Sequence, residues 1–255
     1  SRGGALRSVS LACDVLEVFM EDEELGVSEI ARRVGLAKSS THQLVTTLVG
    51  RGMLEQNRET SEYRLGVRLF ELGELSLSRI DLRRRSGMLL EALREASGLS
   101  TNLAVPSGVD VLFLDRLATL RSLPAYTEFR RRWPLHTTSS GKVMCAFDPL
   151  LADKRIAAGL PSCASRTITD ETRFRQTLAQ IRNQGYAMSH SEAMEGFASI
   201  AAPVFDRLGV ARSAISVAGA IADVDRNHNE YVRLVRNTTH TLSKAMAQTE
   251  WPTRD

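Results

Sequence analysis

The chain has 255 residues, of which 43% are hydrophobic and 25% are charged. This composition excludes disordered and fibrous classes, and the length predicts two modest domains with cores of their own. A formal net charge of +3 is too small to indicate a nucleic-acid partner by itself. No apolar run approaches the roughly 20 residues that span a bilayer, and Asp14 and Glu17 interrupt the first apolar stretch, which argues against a signal peptide. We therefore expect a cytoplasmic protein that makes no membrane contact.

The cysteines Cys13, Cys145 and Cys163 are an odd number at wide spacing and include no C-x-x-C pair. This pattern supports neither a disulfide framework nor a zinc site. We expect buried free thiols and no bound metal or cofactor.

Helical periodicity predicts three helices in the first 50 residues. Apolar side chains recur with helical spacing over residues 6–19, and Ser28 is the expected N-cap of a short second helix that ends at Gly35. A third helix is predicted from Lys38 by a core-facing stripe. The stripe consists of Thr41, Leu44, Val45 and Leu48, and the polar outward face consists of Ser39, Ser40, His42, Gln43, Thr46 and Thr47. Two short helices with a Gly-containing turn between them are typical of a helix-turn-helix.

A hairpin follows the third helix. Strands are predicted at residues 52–55 and 63–65, and together with the polar turn between them they form the wing, residues 52–65. Residues 28–68 carry seven basic residues against four Glu, whereas the residues before them carry two Arg against six acids. The basic excess coincides with the elements predicted to face DNA. Residues 1–66 are therefore predicted to be a winged helix-turn-helix DNA-binding domain.

The rest of the chain is predicted to be a linker helix, residues 67–80, followed by an α+β domain, residues 81–255. Its predicted strands cover residues 101–105, 111–114, 186–189, 200–205 and 211–217, and its predicted helices cover residues 88–96, 170–184 and 227–248. A turn is expected at Pro106, Ser107 and Gly108. Antiparallel strands flanked by helices predict the α+β class.

The order of short motifs resembles the IclR family of bacterial transcriptional regulators over nearly the whole chain. The matching residues of the N-terminal part are Arg7-Ser8-Val9, Glu29-Ile30-Ala31, Gly35-Leu36, Lys38-Ser39-Ser40, Leu48, Gly52-Met53-Leu54 and Tyr63-Arg64-Leu65-Gly66. Those of the C-terminal part are Leu135-His136, Ser140-Gly141-Lys142, Gly185-Tyr186, Glu192, Gly196 and residues 200–206.

The resemblance implies a winged helix-turn-helix joined by a linker helix to a GAF-like domain. Such a protein is expected to bind a double-stranded DNA operator as a homodimer or homotetramer, under the control of a small organic acid or aromatic effector. Three positions depart from the family pattern. The family usually has Arg where Gln43 stands, an acidic residue at Ser189, and often Cys at Ser199.

Short polar side chains and the positive N-terminal end of a recognition helix suit base edges and phosphates in the major groove. The predicted DNA-contacting residues are Lys38, Ser39, Ser40, His42, Gln43, Thr47, Arg58 and Arg64. Lys38 suits a phosphate, the two arginines suit the flanking backbone or the minor groove, and Gln43 suits a bidentate contact to adenine. Other roles stay open at this point: Ser39 as a helix N-cap, and His42, Gln43 and the arginines as solvated surface.

The predicted effector-binding residues are Ser139, Ser140, Gly141, Ser189, Phe197, Ser199 and Ser216. A helix expected to start near Lys142 would offer backbone N–H groups to a carboxylate. The strand residues complete the pocket by resemblance, with Phe197 as an apolar wall and the serines as donors. Ser139 and Ser140 could instead cap the helix, and Ser216 could be structural. His136 fits a structural role better than a ligand contact.

A serine hydrolase is the rival class, because Ser139 and Lys142 match the S-x-x-K pair of penicillin-binding enzymes. The companion motifs S-D-N and K-T-G are absent downstream, and no G-x-S-x-G elbow replaces them. The same segment is not a P-loop either, because Val143 stands where Ser or Thr is required. The sequence therefore favours a protein that is not an enzyme. A pure protein-interaction module is disfavoured by the polar recognition face.

Overall fold

The computed structural model describes residues 6–20, 22–78, 81–120 and 131–247. The chain divides into two units, Ser1–Arg79 and Ile80–Asp255. Each unit has hydrophobic clusters of its own. Among the described residues, no helix is both long and apolar enough to cross a membrane.

The N-terminal unit has the predicted helices followed by the predicted hairpin. Its elements are α1 Arg7–Glu17, a 3-10 turn Val18–Met20, α2 Val27–Val34, α3 Lys38–Gly50, β1 Leu54–Gln56, β2 Tyr63–Leu65 and α4 Val67–Ser78. The core-facing residues Val15, Ile30 and Val45, one from each of the first three helices, are fully buried. Burial of each stabilises the unit by roughly 1.5–3 kcal/mol, and this common core fixes the angle between α2 and α3.

The two ends of α2 show which cap can be predicted from sequence. Gly35 adopts the left-handed conformation at the C-cap, with φ of 67°, as expected. The prediction of Ser28 as N-cap was wrong. The helix begins at Val27, and the carbonyl of Gly26 accepts from the N–H groups of Glu29 and Ile30 at 3.0 and 3.1 Å.

The C-terminal unit has an antiparallel six-stranded sheet in the order β5-β4-β3-β8-β7-β6, which confirms the α+β class. Its strands are β3 Ser100–Ser107, β4 Asp110–Leu117, β5 Arg132–Pro134, β6 Ala187–His190, β7 Phe197–Phe205 and β8 Ala211–Ala220. Its helices are α5 Asp81–Ser97, α6 Ser139–Phe147, α7 Pro149–Ala157, α8 Glu171–Gln184, α9 Ile221–Arg226 and α10 His228–Met246.

Helices cover both faces of this sheet. Alternate residues of β7 belong to different clusters: Ile200 packs with the residues of α5 and α10, and Ala201 packs with those of α6. This is the period-two pattern of a strand that is buried on both faces. The sheet therefore holds α6 against the central strands β7 and β8.

Several sequence expectations for the second unit need correction. The charged residues after Asp81 belong to α5, where Arg84 pairs with Asp81, instead of preceding it. Pro106 lies inside β3 opposite Val111, so the turn is displaced toward Gly108. The strand β5 and the helices α7 and α9 were not predicted. The last two residues of the predicted linker helix lie outside the described residues.

The expectation of buried thiols holds for one cysteine only. Cys145 is fully buried in α6, where burial raises the pKa of its thiol. Cys13 and Cys163 are exposed, so the prediction was wrong for these two. Burial depends on which face of an element packs inward, and an isolated cysteine carries no signal of that.

Candidate nucleic-acid interface and candidate ligand cavity

The outward face of α3 carries all the helix residues singled out from the sequence. Lys38, Ser39, Ser40, His42, Gln43 and Thr47 are all exposed. They lie opposite the buried stripe formed by Thr41, Val45 and Leu48. Ser39 is not the N-cap, because Ala37 holds that position and, within the described ranges, no side chain caps the helix. The first-turn N–H groups of α3 are therefore left for an external acceptor such as a phosphate.

Ion pairing decides which cations of this unit are available to a polyanion. Arg32 and Arg33 of α2 are bound by Glu29, whose pKa their guanidinium groups lower to about 2. In the described part of the chain, Lys38 and Arg58 form no ion pair. Lys38 is the first residue of α3, and Arg58 lies in the turn of the wing between β1 and β2.

Arg64 differs from Arg58 in its partners. Its guanidinium lies 3.3 Å from the Glu55 carboxylate and 3.8 Å from that of Glu24. About half of its side chain is exposed, at 53%. Two acids compensate this cation, a feature that the sequence did not reveal.

The structure brings six of the seven predicted effector residues around one cavity of about 30 Å³, the serine cavity. Its lining residues are Asn102, Phe113, Thr138, Ser139, Ser140, Ser189, Ala193, Met194, Phe197, Ala198, Ser199, Ser216 and Ala218. None of these side chains is charged. A ligand in this cavity therefore meets hydroxyl, amide and apolar groups.

Gly141 is the predicted residue that does not line the cavity. The helix α6 begins at Ser139, three residues before the expected start, because Thr138 is its N-cap and accepts from the N–H of Gly141 at 2.9 Å. A Cβ at Gly141 would lie 2.0 Å from the carbonyl oxygen of Leu135. Glycine is thus required here by close backbone packing.

Most of the cavity hydroxyls bind each other or the backbone. Ser139 and Ser199 share a hydrogen bond of 2.7 Å between their hydroxyls. The Ser189 hydroxyl donates to the Thr137 carbonyl at 3.0 Å, and the Ser216 hydroxyl accepts from Asn102 at 3.2 Å. These bonds fix the walls of the cavity.

Ser140 is different. Its hydroxyl is buried, with 1% of the residue exposed, and has no hydrogen-bond partner among the residues that the structure describes. A buried hydroxyl without a partner costs roughly 1–3 kcal/mol. The N–H groups of Ser139 and Ser140 lie in the first turn of α6, where a helix offers them no intrahelical acceptor. The serine cavity therefore contains the Ser140 hydroxyl at the positive end of a helix.

The hydrolase alternative requires Lys142 near the Ser139 hydroxyl, but both groups bind elsewhere. The Lys142 ammonium donates to both Glu192 oxygens at 2.6 and 2.7 Å, and only 2% of its side chain is exposed. Burial lowers the pKa of Lys142, and the Glu192 carboxylate opposes that shift. The Ser–Lys arrangement of the rival enzyme class is not formed.

His136 also lies outside the cavity. Its Nε2 lies 3.0 Å from the Pro161 carbonyl, to which the neutral ring donates, and the ring meets Phe174 edge to face. Burial lowers the pKa of His136 to about 4, so the ring stays neutral near neutral pH. These contacts agree with the structural role expected for this residue.

Sequence reasoning missed seven residues that line the cavity: Asn102, Phe113, Thr138, Ala193, Met194, Ala198 and Ala218. Asn102 is a buried amide on strand β3, and this was a usable signal, since a polar side chain on a buried strand needs a partner. Ala193 and Met194 belong to the segment 191–196, the cavity loop, and they offered no local signal.

Two family models match the chain. The IclR helix-turn-helix domain matches residues 8–58, and the C-terminal domain of the bacterial transcriptional regulator IclR matches residues 74–244.

Curated relatives match over most of their lengths. The regulator BhcR of Paracoccus denitrificans is 34% identical over 85% of this chain and 78% of its own. The glycerol operon regulatory protein of Streptomyces coelicolor is 32% identical over 94% of this chain and 96% of its own. The regulator KdgR of Escherichia coli is 29% identical over 97% of this chain and 95% of its own.

Solved structures agree with the fold. An IclR regulator from a Silicibacter species has a TM-score of 0.82 at 25% identity, covering 96% of this chain and 98% of that one. An IclR homologue from Microbacterium hydrocarbonoxydans, in complex with 4-hydroxybenzoate, has a TM-score of 0.79 at 27% identity. The match covers 93% of this chain and 98% of that one.

Proposed function

Because the chain belongs to the IclR family of bacterial transcriptional regulators, we propose that a small organic acid in the serine cavity changes the affinity of its helix-turn-helix for an operator. The N-terminal unit reads the DNA with the outward face of α3. Gln43 contacts a base edge, and Lys38 and the first-turn amides contact phosphates.

The observation that carries this proposal is the buried Ser140 hydroxyl beside the N-terminal turn of α6. A carboxylate bound there accepts from the hydroxyl and from free helix N–H groups, so it removes the cost of an unpartnered donor and meets the positive end of the helix. The rings of Phe113 and Phe197 offer apolar walls for the rest of the ligand. An aromatic acid fits this chemistry, as does the 4-hydroxybenzoate found in the Microbacterium homologue.

The size of the cavity makes its occupancy a conformational event. About 30 Å³ admits water and is far below the roughly 300–1,000 Å³ of a typical ligand pocket. The walls must therefore separate before an aromatic acid enters. This requirement couples ligand binding to movement within the C-terminal unit, which is the basis of an allosteric change in DNA affinity.

The protein binds double-stranded DNA as a symmetric homodimer or homotetramer. Apolar side chains on the helix α4 are exposed: Val67 at 64%, Phe70 at 67% and Leu75 at 56%. Exposed apolar groups along one helix favour association with a second copy of the chain. Two readers in one assembly then bind two half-sites of an operator.

The proposal is tested by a thermal-shift screen of organic acids on the intact protein. Each acid that binds is then titrated into the wild type and into Ser140→Ala. Loss of the hydroxyl should weaken the binding of the acid by about 1–3 kcal/mol, or roughly 5- to 150-fold. Ser213→Ala is the matched control, because the Ser213 hydroxyl is also buried and, in the described part of the chain, has no partner, yet Ser213 does not line the cavity. Equal affinity of the hit for both variants would refute the assignment of the serine cavity. A mobility-shift assay with genomic fragments tests DNA binding separately.

A further inference from the structure

The segment before α2 makes an isolated antiparallel β-bridge to the wing at Leu25. The backbone N–H of Leu25 donates to the Tyr63 carbonyl, and the N–H of Tyr63 donates to the Leu25 carbonyl, both at 2.9 Å. This pairing places Glu24, the preceding residue, beside the turn that joins β1 and β2.

The Glu24 carboxylate binds both sides of that turn. It accepts from the Asn57 side-chain amide at 3.0 and 3.1 Å and from the Thr60 hydroxyl at 3.3 Å. It also lies 3.8 Å from the Arg64 guanidinium. Three side chains of the wing therefore converge on one acid, of which 24% is exposed.

Asn57 is fixed at both ends of its amide. Its nitrogen donates to Glu24, and its oxygen accepts from the Glu59 N–H at 2.9 Å. Thr60 is fixed in the same way, because its hydroxyl donates to Glu24 and accepts from the Glu62 N–H at 3.2 Å. The backbone on either side of Arg58 is thus held in place, while the Arg58 side chain is exposed and, within the described residues, forms no ion pair.

We propose that Glu24 is the positioning residue of the wing: it fixes Asn57 and Thr60 on either side of Arg58 and compensates Arg64, so that Arg58 is the cation presented to the DNA backbone. This inference rests on the proposed DNA-binding function. It gives an acid a favourable role in binding a polyanion, although its charge alone repels phosphate.

The sign of the effect separates positioning from charge. Removing an acid near DNA raises affinity if charge alone acts, whereas loss of positioning lowers it. We expect Glu24→Ala to weaken binding to a random-sequence 30-bp duplex by about fivefold, and to reduce the log-log salt slope by about 0.9 as one phosphate contact is lost. Fluorescence anisotropy at several salt concentrations measures both quantities.

Two variants complete the test. Glu24→Gln keeps an oxygen acceptor for Asn57 and should restore binding to the wild-type level or above. Glu59→Ala removes an exposed acid from the same turn, which makes it the charge-matched control, and should bind DNA as tightly as the wild type or more tightly. If Glu24→Ala binds DNA as Glu59→Ala does and its salt slope is unchanged, the proposal is overturned.

Folding and function are checked in the same series. If Glu24→Ala unfolds the N-terminal unit by circular dichroism, Asn57→Ala takes its place and should show the same loss of affinity and slope, while normal binding by Asn57→Ala overturns the proposal. A wild-type protein that binds no DNA refutes the proposed function itself. Normal wild-type binding with no effect of Glu24→Ala refutes only the role of Glu24.

Discussion

Replacing Lys142 by methionine leaves the Glu192 carboxylate buried without its cation. The two Nζ–O distances are 2.6 and 2.7 Å, and the side chains are 2% and 11% exposed. Breaking such a pair from one side costs about 3–5 kcal/mol, because the remaining charge keeps its desolvation penalty. We expect this loss in the free energy of unfolding for Lys142→Met, and a similar one for Glu192→Leu.

The double variant Lys142→Met/Glu192→Leu leaves neither charge behind. It should therefore cost about 2–3 kcal/mol less than the sum of the two single variants. Urea unfolding followed by the fluorescence of Trp133, which packs on the core cluster that contains Val143, reports on this unit. A Trp251→Phe background removes the other tryptophan signal.

The pair also holds the cavity loop, because Ala193 and Met194 follow Glu192 and line the serine cavity. Both single variants should thus lose affinity for an organic-acid hit in addition to stability. Single variants that each cost less than about 1 kcal/mol, with additive effects in the double variant, would show that the pair is effectively solvated. The reasoning that ties the loop to α6 would then be refuted.

Three further predictions concern other parts of the molecule. Gln43→Ala should relax the sequence preference at one base pair by about 1–3 kcal/mol, whereas Lys38→Ala should weaken binding to all DNA sequences alike. Fluorescence anisotropy with operator and random duplexes distinguishes the two variants. If both variants lost affinity equally on both duplexes, the assignment of the recognition face would be contradicted. Gly141→Ala should destabilise the protein by about 3 kcal/mol, since its Cβ would meet the Leu135 carbonyl at 2.0 Å; an unchanged melting temperature would contradict this. The pKa of His136 is lowered to about 4 in the folded protein, so below the ordinary pKa of histidine this side chain is protonated mainly in the unfolded chain. The free energy of unfolding should therefore fall by about 2 kcal/mol between about pH 7.5 and 5. Urea unfolding at several pH values measures this dependence, which should be absent in His136→Gln.

The exposed face of α3 could be predicted because its signal is local. Thr41, Val45 and Leu48 recur with the helical period, and every residue between them then has a defined side. The same holds for the ends of α8, where Asp170 caps the first turn and Gly185 adopts φ of 78°. Both features depend only on neighbours in the chain.

Helix starts were harder to predict, because several nearby residues compete for one cap. Ser28 is a good N-cap by residue type, yet the extended backbone at Gly26 starts α2 earlier. Thr138 caps α6 in place of the two serines that follow it. The N-cap is the residue at which the extended backbone of the preceding segment turns into the helix. The preference of a residue type for caps does not say where that turn occurs.

The cavity combines residues that are distant in the chain. Ser139 and Ser199 are 60 positions apart and share a hydrogen bond, and family resemblance was the reason to group them. Asn102 meets Ser216 across 114 positions because β3 and β8 pair in that register. Strand pairing is set by the whole sheet, so this contact could not be predicted from either strand alone.

The central claim is that occupancy of the serine cavity changes the affinity of the reader for its operator. The direct measurement is the affinity of the intact protein for a genomic fragment it selects, with and without a saturating organic acid identified by thermal shift, for the wild type and for Ser140→Ala. The account predicts a change of roughly 5- to 150-fold for the wild type, the range of a typical allosteric coupling, and a smaller change for Ser140→Ala at the same concentration of acid. An acid that binds the wild type in a Ser140-dependent manner and leaves operator affinity unchanged would contradict the account.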